Sequence, residues 1–290
     1  MHPITPKHYS LPCPLLLSPS GHTPPLKVTH TFPSLFTSLM KNPVAQSFTE
    51  FYDKWVWKLE EILHQLLEVS KQRTQVVKTE QELQVLISKV TSHLKEYYTV
   101  KWASAHEDVL VFFSPTWLSP LENAYLWMTG WKPSMVLKLL ETLKKQAASG
   151  GDFVMTEEQA RKIEELRKRT RMEEEKVERE MERQQVAMAD RKMVELVKLT
   201  TRARNGGGGG GDAVAEVALK GVLAGLERVM KASDCVRLKT LKGVLDVLSP
   251  MQCVDFLAAN TAMQLRLRQW GKKKRDMPAG STLNANHHNN

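Results

Sequence analysis

Between residues 47 and 271 apolar side chains return at every third or fourth position, and nowhere do they alternate over a run bounded by hairpin turns. The first pattern lays an apolar stripe along an α-helix; the missing one is what a half-buried strand requires. The chain is therefore expected to be all-α: a multi-helix bundle with one long charged helix, flanked by disordered N- and C-terminal tails. The clearest stripe is Phe48, Phe51, Tyr52, Trp55, Leu59, Ile62, Leu63 and Leu66, opened by a Ser47–Glu50 capping box. Leu83, Leu86, Ile87, Val90 and Leu94 mark the next helix, and another is expected around residues 100–113. Later stripes run from Val214 to Val229, after a turn near Ser233 from Val236 to Leu248, and from Val254 to an end near Trp270 and Gly271.

Proline confines the helical part. Nine of the fourteen prolines fall in residues 1–46, and no acidic residue precedes Glu50. That density prevents a continuous helix, so residues 1–46 read as a disordered Pro/Ser/Thr-rich leader. An organelle transit peptide is the weaker alternative, since arginine is absent from the stretch. Met40 is a candidate true start, which leaves residues 1–39 outside the mature protein. Residues 47–271 form one domain, interrupted by a flexible glycine linker over 205–212. Residues 272–290 are a basic and then polar disordered tail.

The densest punctuation lies in 114–140. Ser119, Pro120 and Glu122 have the spacing of a capped helix start, Gly130 suits a left-handed helix end, and Pro133 suits the first turn of the next helix. Three of the seven tryptophans, Trp117, Trp127 and Trp131, crowd this turn and are expected to pack around it. Residues 156–204 read as the charged helix, opened by Thr156 and Gln159. Glu157–Arg161, Glu158–Lys162, Glu164–Lys168, Glu165–Arg169 and Glu175–Arg179 are spaced to pair at i,i+4. Its apolar seam of Ile163, Leu166, Val177, Met181, Met188, Leu196 and Leu199 is interrupted by Thr170 and Glu174. Acids and bases nearly cancel along it, unlike the basic block of a DNA-reading zipper.

Signals for catalysis are scarce. There is no phosphate loop, dinucleotide fingerprint, zinc-protease helix or nucleophile elbow. His64, His93 and His106 each stand alone on an expected helix, where a histidine is a surface or satisfied core residue; His287 and His288 lack supporting ligands. Three cysteines without a C-x-x-C pair fit a reducing compartment, and no window reaches the apolar length of a membrane span. The formal charge of +9 gathers at Arg266, Arg268, Lys272, Lys273, Lys274 and Arg275 around Trp270. Lys272, Lys273, Lys274 and Arg275 have the composition of a nuclear import signal; the bland reading is a solvated helix end facing its own dipole. Direct phosphate contact is a third reading.

Three collinear motifs carry a resemblance. Phe51-Tyr52-x-x-Trp55, the run from Ser119-Pro120-Leu121-Glu122 through Trp127, Gly130, Trp131 and Pro133-Ser134, and Leu248-Ser249-Pro250-x-Gln252-x-Val254-Asp255-Phe256-Leu257-Ala258-Ala259 resemble the plant Delay-of-Germination (seed dormancy control) domain. That domain is shared with the C-terminal half of TGA-type bZIP transcription factors. No basic zipper precedes it here, so the chain is similar to a stand-alone member. The resemblance implies a non-catalytic, all-helical nuclear regulator in transcriptional control or abscisic-acid-linked seed and development signalling. It implies protein partners, type-two-C phosphatases or bZIP factors, with Phe51, Tyr52 and Trp55 as the partner-binding residues. Part of the family binds haem through histidines; none lies between His106 and His287, so no cofactor and no metal are expected. Two alternatives to a protein-interaction module stand: sequence-specific DNA binding, alone or with a bZIP partner, and a small-ligand sensor lined by Trp117, Trp127 and Trp131.

Overall fold

A computed structural model describes residues 42–74, 78–148, 153–191, 193–195, 198 and 211–276, and all of these fall in one unit. The described residues are helical apart from turns and one isolated bridge, as the spacing requires. In order, α1 is Pro43–Lys71, followed by a short 3-10 turn; α2 is Glu80–Glu107; α3 is Leu110–Phe113 and α4 is Pro120–Ala124. Then come α5, Ser134–Ala148; the charged α6, Glu157–Ala187; α7, Gly211–Val247; and α8, Pro250–Asp276.

Several boundaries differ from expectation. Helix α1 opens at Pro43, inside the expected leader: Asn42 Oδ1 accepts the Val44 and Ala45 amides at 3.0 and 3.2 Å, and proline fills a position whose N–H needs no partner. Ser47 and Glu50 lie within its first turns. The helix expected over 100–113 is the end of α2, broken at Asp108, plus α3. The turn near Ser233 does not exist; α7 runs through it. Gly211 and Asp212, assigned to the linker, begin α7, and α8 continues through Lys272, Lys273, Lys274 and Arg275 to Asp276 rather than ending at Trp270. The leader as far as residue 41, linker residues 205–210, Leu196, Leu199, the end of the tail and His287 and His288 lie outside the described residues.

Helices α6 and α7 form an antiparallel hairpin. Gln159 donates to the Val247 carbonyl, Leu166 lies on Gly243, the Thr170 and Thr240 hydroxyls meet at 3.2 Å, and Gln184 lies on Gly225, so one number climbs as the other falls. Helix α8 packs against α1, α2, α4 and α5. Two apolar cores result. One gathers Ile62, Leu66, Val90, Leu137, Leu140, Phe256 and Leu257 where α1, α2, α5 and α8 meet. The other is aromatic: Phe48, Tyr52, Trp55, Phe112 and Trp117, with Phe48 and Trp117 ring centroids 4.6 Å apart. Thr170 and Glu174, which interrupt the α6 seam in sequence, are 3 % exposed and belong to its buried face. The capping boxes at Ser119, Thr156 and Ser249 are all present.

Candidate functional site

The segment between α3 and α5 is held from two sides by arginines. From α8, Arg268 donates Nη1–H to the Trp117 carbonyl at 3.0 Å and Nη2–H to Asp53 at 2.9 Å, and lies 3.6 Å from Glu122 and 4.9 Å from the Tyr52 ring centre. Arg268 is 7 % exposed, so the surface basic cluster expected around Trp270 does not contain it. Gly271 is required here: a Cβ at that position would overlap Ser119.

From α7, Arg237 donates Nε–H to the Trp131 carbonyl and Nη2–H to the Trp127 carbonyl, both at 2.6 Å, and Nη1–H to Ser233 and Asp234. Asp234 is fully buried and also accepts from Lys101 Nζ at 2.9 Å and from the Trp102 indole at 3.0 Å. Lys101, 1 % exposed, completes its donors on the carbonyl and hydroxyl of Thr129. Three charges on two helices thus pin one turn. Burial, partly offset by Asp234, lowers the Lys101 ammonium to about 8. Burial likewise raises the Tyr52, Tyr97 and Tyr98 hydroxyls well above their usual range.

Helix α6 supplies the remaining fastenings. Glu174 accepts the Ser134 amide at 2.6 Å and caps α5, whose own sequence offers Pro133 but no capping side chain there. Glu178 accepts from the Trp127 indole at 2.8 Å and from Lys132 at 2.7 Å. The turn 127–130 closes on itself through paired Trp127–Gly130 backbone bonds. Its left-handed residue is Met128, φ 56°, and not Gly130. Gly130 instead makes room for a close approach: the Arg237 guanidinium lies 3.0 Å from where a Cβ would stand.

The three tryptophans do not share one packing site. Trp117 is in the aromatic core, Trp127 packs with the α6–α7 residues Val177, Val229 and Val236, and Trp131 is half-buried at a cleft beside Arg237. Their capped, proline-bounded frame keeps them on separate neighbours. Of the residues expected to meet a partner, Tyr52 and Trp55 are buried and Phe51 is half-buried. Trp55 stacks on His93, whose Nε2 lies 3.0 Å from the Trp55 carbonyl. His64 and His106 are exposed. Among the described residues no group of three or more acidic, histidine or cysteine side chains is placed to hold a metal ion, and no helix is long and apolar enough to cross a membrane. Lys272 and Lys273 are exposed; the side chains of Lys274 and Arg275 lie outside the described residues.

Lys101, Asp234 and Arg237 were missed by sequence reasoning. A signal existed: Leu226, Met230, Ser233, Arg237, Thr240 and Val244 continue one helical stripe without a break in spacing. An unbroken period across polar residues argues for buried polar groups rather than for a turn.

These features define a class: an all-helical module in which interior charges fasten a tryptophan-rich turn. Comparison with known proteins agrees. A family model described as DOG1, seed dormancy control, matches residues 59–142. Protein DOG1-like 4 of Arabidopsis thaliana is 53 % identical over 239 residues, covering 82 % of this chain and 97 % of that protein. Protein RESPONSE TO ABA AND SALT 1 of Arabidopsis thaliana is 32 % identical over 229 residues, 77 % of this chain and 94 % of that protein. Transcription factor TGA5 of Arabidopsis thaliana is 26 % identical over 191 residues, 66 % of this chain and 54 % of that protein. The chain belongs to the DOG1 seed-dormancy family, and it is related to the TGA factors.

Proposed function

We propose that the protein is a non-catalytic nuclear regulator that works by docking other proteins in transcriptional control or abscisic-acid-linked seed and development signalling, with type-two-C phosphatases or bZIP factors as partners. The observation that supports this is Trp270, left 60 % exposed on α8 beside a groove of about 570 Å³ floored by Leu139, Leu143, Ala259 and Met263. Large, wetted indoles are costly to keep, and tryptophan and arginine lead the residues that anchor interfaces. Arg266, Lys272 and Lys273 stand exposed near the indole, which suits an acidic partner segment. Because Tyr52 and Trp55 are committed to the core, the docking face is assigned to α8 and not to Phe51, Tyr52 and Trp55. Calorimetric titration of the full chain with purified candidates tests it. Micromolar binding that Trp270→Ala weakens at least about tenfold is expected; no binding to either class, or binding indifferent to Trp270, removes it.

The runner-up is duplex DNA binding through the basic end of α8, favoured by that end being helical. Affinity that falls steeply with salt would support phosphate contacts, whereas no binding at low salt ends this reading.

A further inference from the structure

Helices α5 and α8 line the groove of about 570 Å³ beside Trp270. The α8 wall offers Ala259, Ala262, Met263, Arg266 and Trp270, at spacings that put them on one side of the helix. The α5 wall offers Leu139, Leu143 and Ala147, four residues apart. At the end away from Trp270 the groove closes on Ser70 and Arg73: Ser70 donates to Asp255 at 2.8 Å, and Arg73 pairs with the same carboxylate. From Asp255 to Trp270 the α8 wall runs about 22 Å at the rise of an α-helix. Two properties of this groove select its occupant.

The first is backbone. Both walls are helices, whose N–H and C=O groups bond within their own turns, so an extended segment laid here finds no backbone partner. An amphipathic helix satisfies its own backbone and turns one apolar stripe toward the groove. Ala259 and Ala262 are half-buried and short, which lets such a helix approach to the interaxial distance of packed helices, about 8–10 Å. The second is charge. Three charged side chains line the groove, and two of them, Arg73 and Asp255, are paired with each other. Arg266 is left, exposed and with no carboxylate in ion-pair reach among the described residues. Trp270 and Lys273 follow it at i+4 and i+7 on the same face, and Lys273 is exposed and likewise unanswered among the described residues. The groove thus ends in two cations around an indole.

We propose that this groove seats an amphipathic helix of a partner protein, its apolar stripe along Leu143, Ala259 and Ala262, its flank carrying acidic residues against Arg266 and Lys273. The inference rests on the docking face assigned to α8 above and names the kind of element that face accepts. Duplex DNA would meet the same cations but has no use for the apolar walls.

The probe is a peptide of about sixteen residues, enough to span the groove as a helix, with leucine along one face and glutamate on both flanks. Its comparisons are the same peptide with lysine for glutamate, and the acidic peptide with a pair of central prolines. Calorimetry with the full chain should give the acidic peptide a dissociation constant on the order of 100 μM or tighter, with both comparisons at least about tenfold weaker. Arg266→Glu with Lys273→Glu changes only exposed side chains and should invert the preference between the acidic and lysine peptides, at a melting temperature within about 2 °C of the parent. Ala262→Leu fills the groove and should weaken the acidic peptide at least about fivefold; should it disturb the fold, the charge reversal decides alone. No saturable binding up to about 1 mM, equal binding of either comparison, or a preference that the charge reversal leaves in place overturns the inference. So does a dimer that Ala262→Leu dissolves, which gives the groove to a second copy. Duplex DNA binding that is lost on charge reversal, in a chain that ignores the acidic peptide, overturns it too. If the phosphatase and bZIP candidates fail while the acidic peptide behaves as expected, those partners are removed and the helix seat stands; the reverse keeps the partners and removes the helix.

Discussion

The same residue types, lysine, arginine and carboxylate, occur in two settings in this protein. On α6 they stand in water: Arg161 bridges Glu158 and Glu165 at 2.8 and 2.9 Å, and Lys162 reaches Glu158 at 3.3 Å. At the tryptophan turn they are buried: Lys101, Asp234 and Arg237 meet on two helices with exposures of 8 % or less. Distances are alike in the two places, so geometry alone does not rank them. Burial does. An exposed pair gains little over its hydration, whereas a buried charge that loses its partner faces a low dielectric alone. The ladder keeps a helix in solution; the node decides where a turn can sit.

The largest expected effect follows from emptying the middle of the node. Asp234→Ala leaves two buried cations and the Trp102 indole without their acceptor, and should lower unfolding free energy by about 3–5 kcal/mol in urea titration. A loss no larger than that of a surface substitution would dissolve the contrast between the two regions. The pH dependence separates them further. Lys101 is lowered from 10.5 to about 8, so between those values the unfolded chain binds more protons and stability climbs with pH. Tyr52, Tyr97 and Tyr98 are raised above 10.0, so their contribution is complete below that pH and is lost as pH rises beyond it. A tenfold difference in proton affinity between folded and unfolded chain corresponds to about 1.4 kcal/mol. Unfolding across pH 8–12 should therefore show a shallow rise and then a fall near 10, with the fall reduced in the variant carrying Tyr97→Phe and Tyr98→Phe.

A milder intrusion at the turn should give an intermediate result. Gly130→Val drives methyl groups into the Arg237 guanidinium without removing a charge, and is expected to cost about 1–3 kcal/mol through displaced packing. Ser119→Ala deletes a capping hydroxyl at the opposite end of the segment, and about 1 kcal/mol is expected. If Ser119→Ala proved the worse of the two, the turn would owe its position to local capping more than to the buried node.

That ordering matches what the sequence could reveal. Capping boxes at Ser119 and Thr156 were legible because each closes within four residues. The family was legible because its motifs are spaced signatures rather than contacts. The node was not, because Lys101 and Asp234 are 133 positions apart and each resembles a surface charge until its partner is known. Ser233 resembles a turn residue for the same reason: its hydroxyl bonds back to the Met230 carbonyl and to Arg237, which satisfies it inside a helix. Arg268 sits among exposed basic residues in sequence, but neighbours in sequence differ in face on a helix. Gly130 has the residue type for a left-handed backbone, yet Met128 is the residue that adopts it. The caps at Ser119 and Thr156 were visible; the burial of charge was not.

The smallest effect belongs to the ladder, and it is the one that closes the comparison. Glu158→Gln removes a carboxylate that meets both Arg161 and Lys162, whose hydrogen bonds hold its pKa below the ordinary carboxylate range. In the number of cations it meets, this residue equals Asp234. Yet every group involved stands in water, where counter-ions and solvent replace whatever is lost. The thermal midpoint should move by less than about 2 °C, and raising salt from about 0.1 to 1 M should erase even that by shortening the screening length from about 10 to 3 Å. The Asp234→Ala loss should survive the same salt change nearly whole, because ions do not reach it. Equal salt sensitivity at the two sites would mean that water enters the node, and the distinction between a pinned turn and a solvated helix would fail.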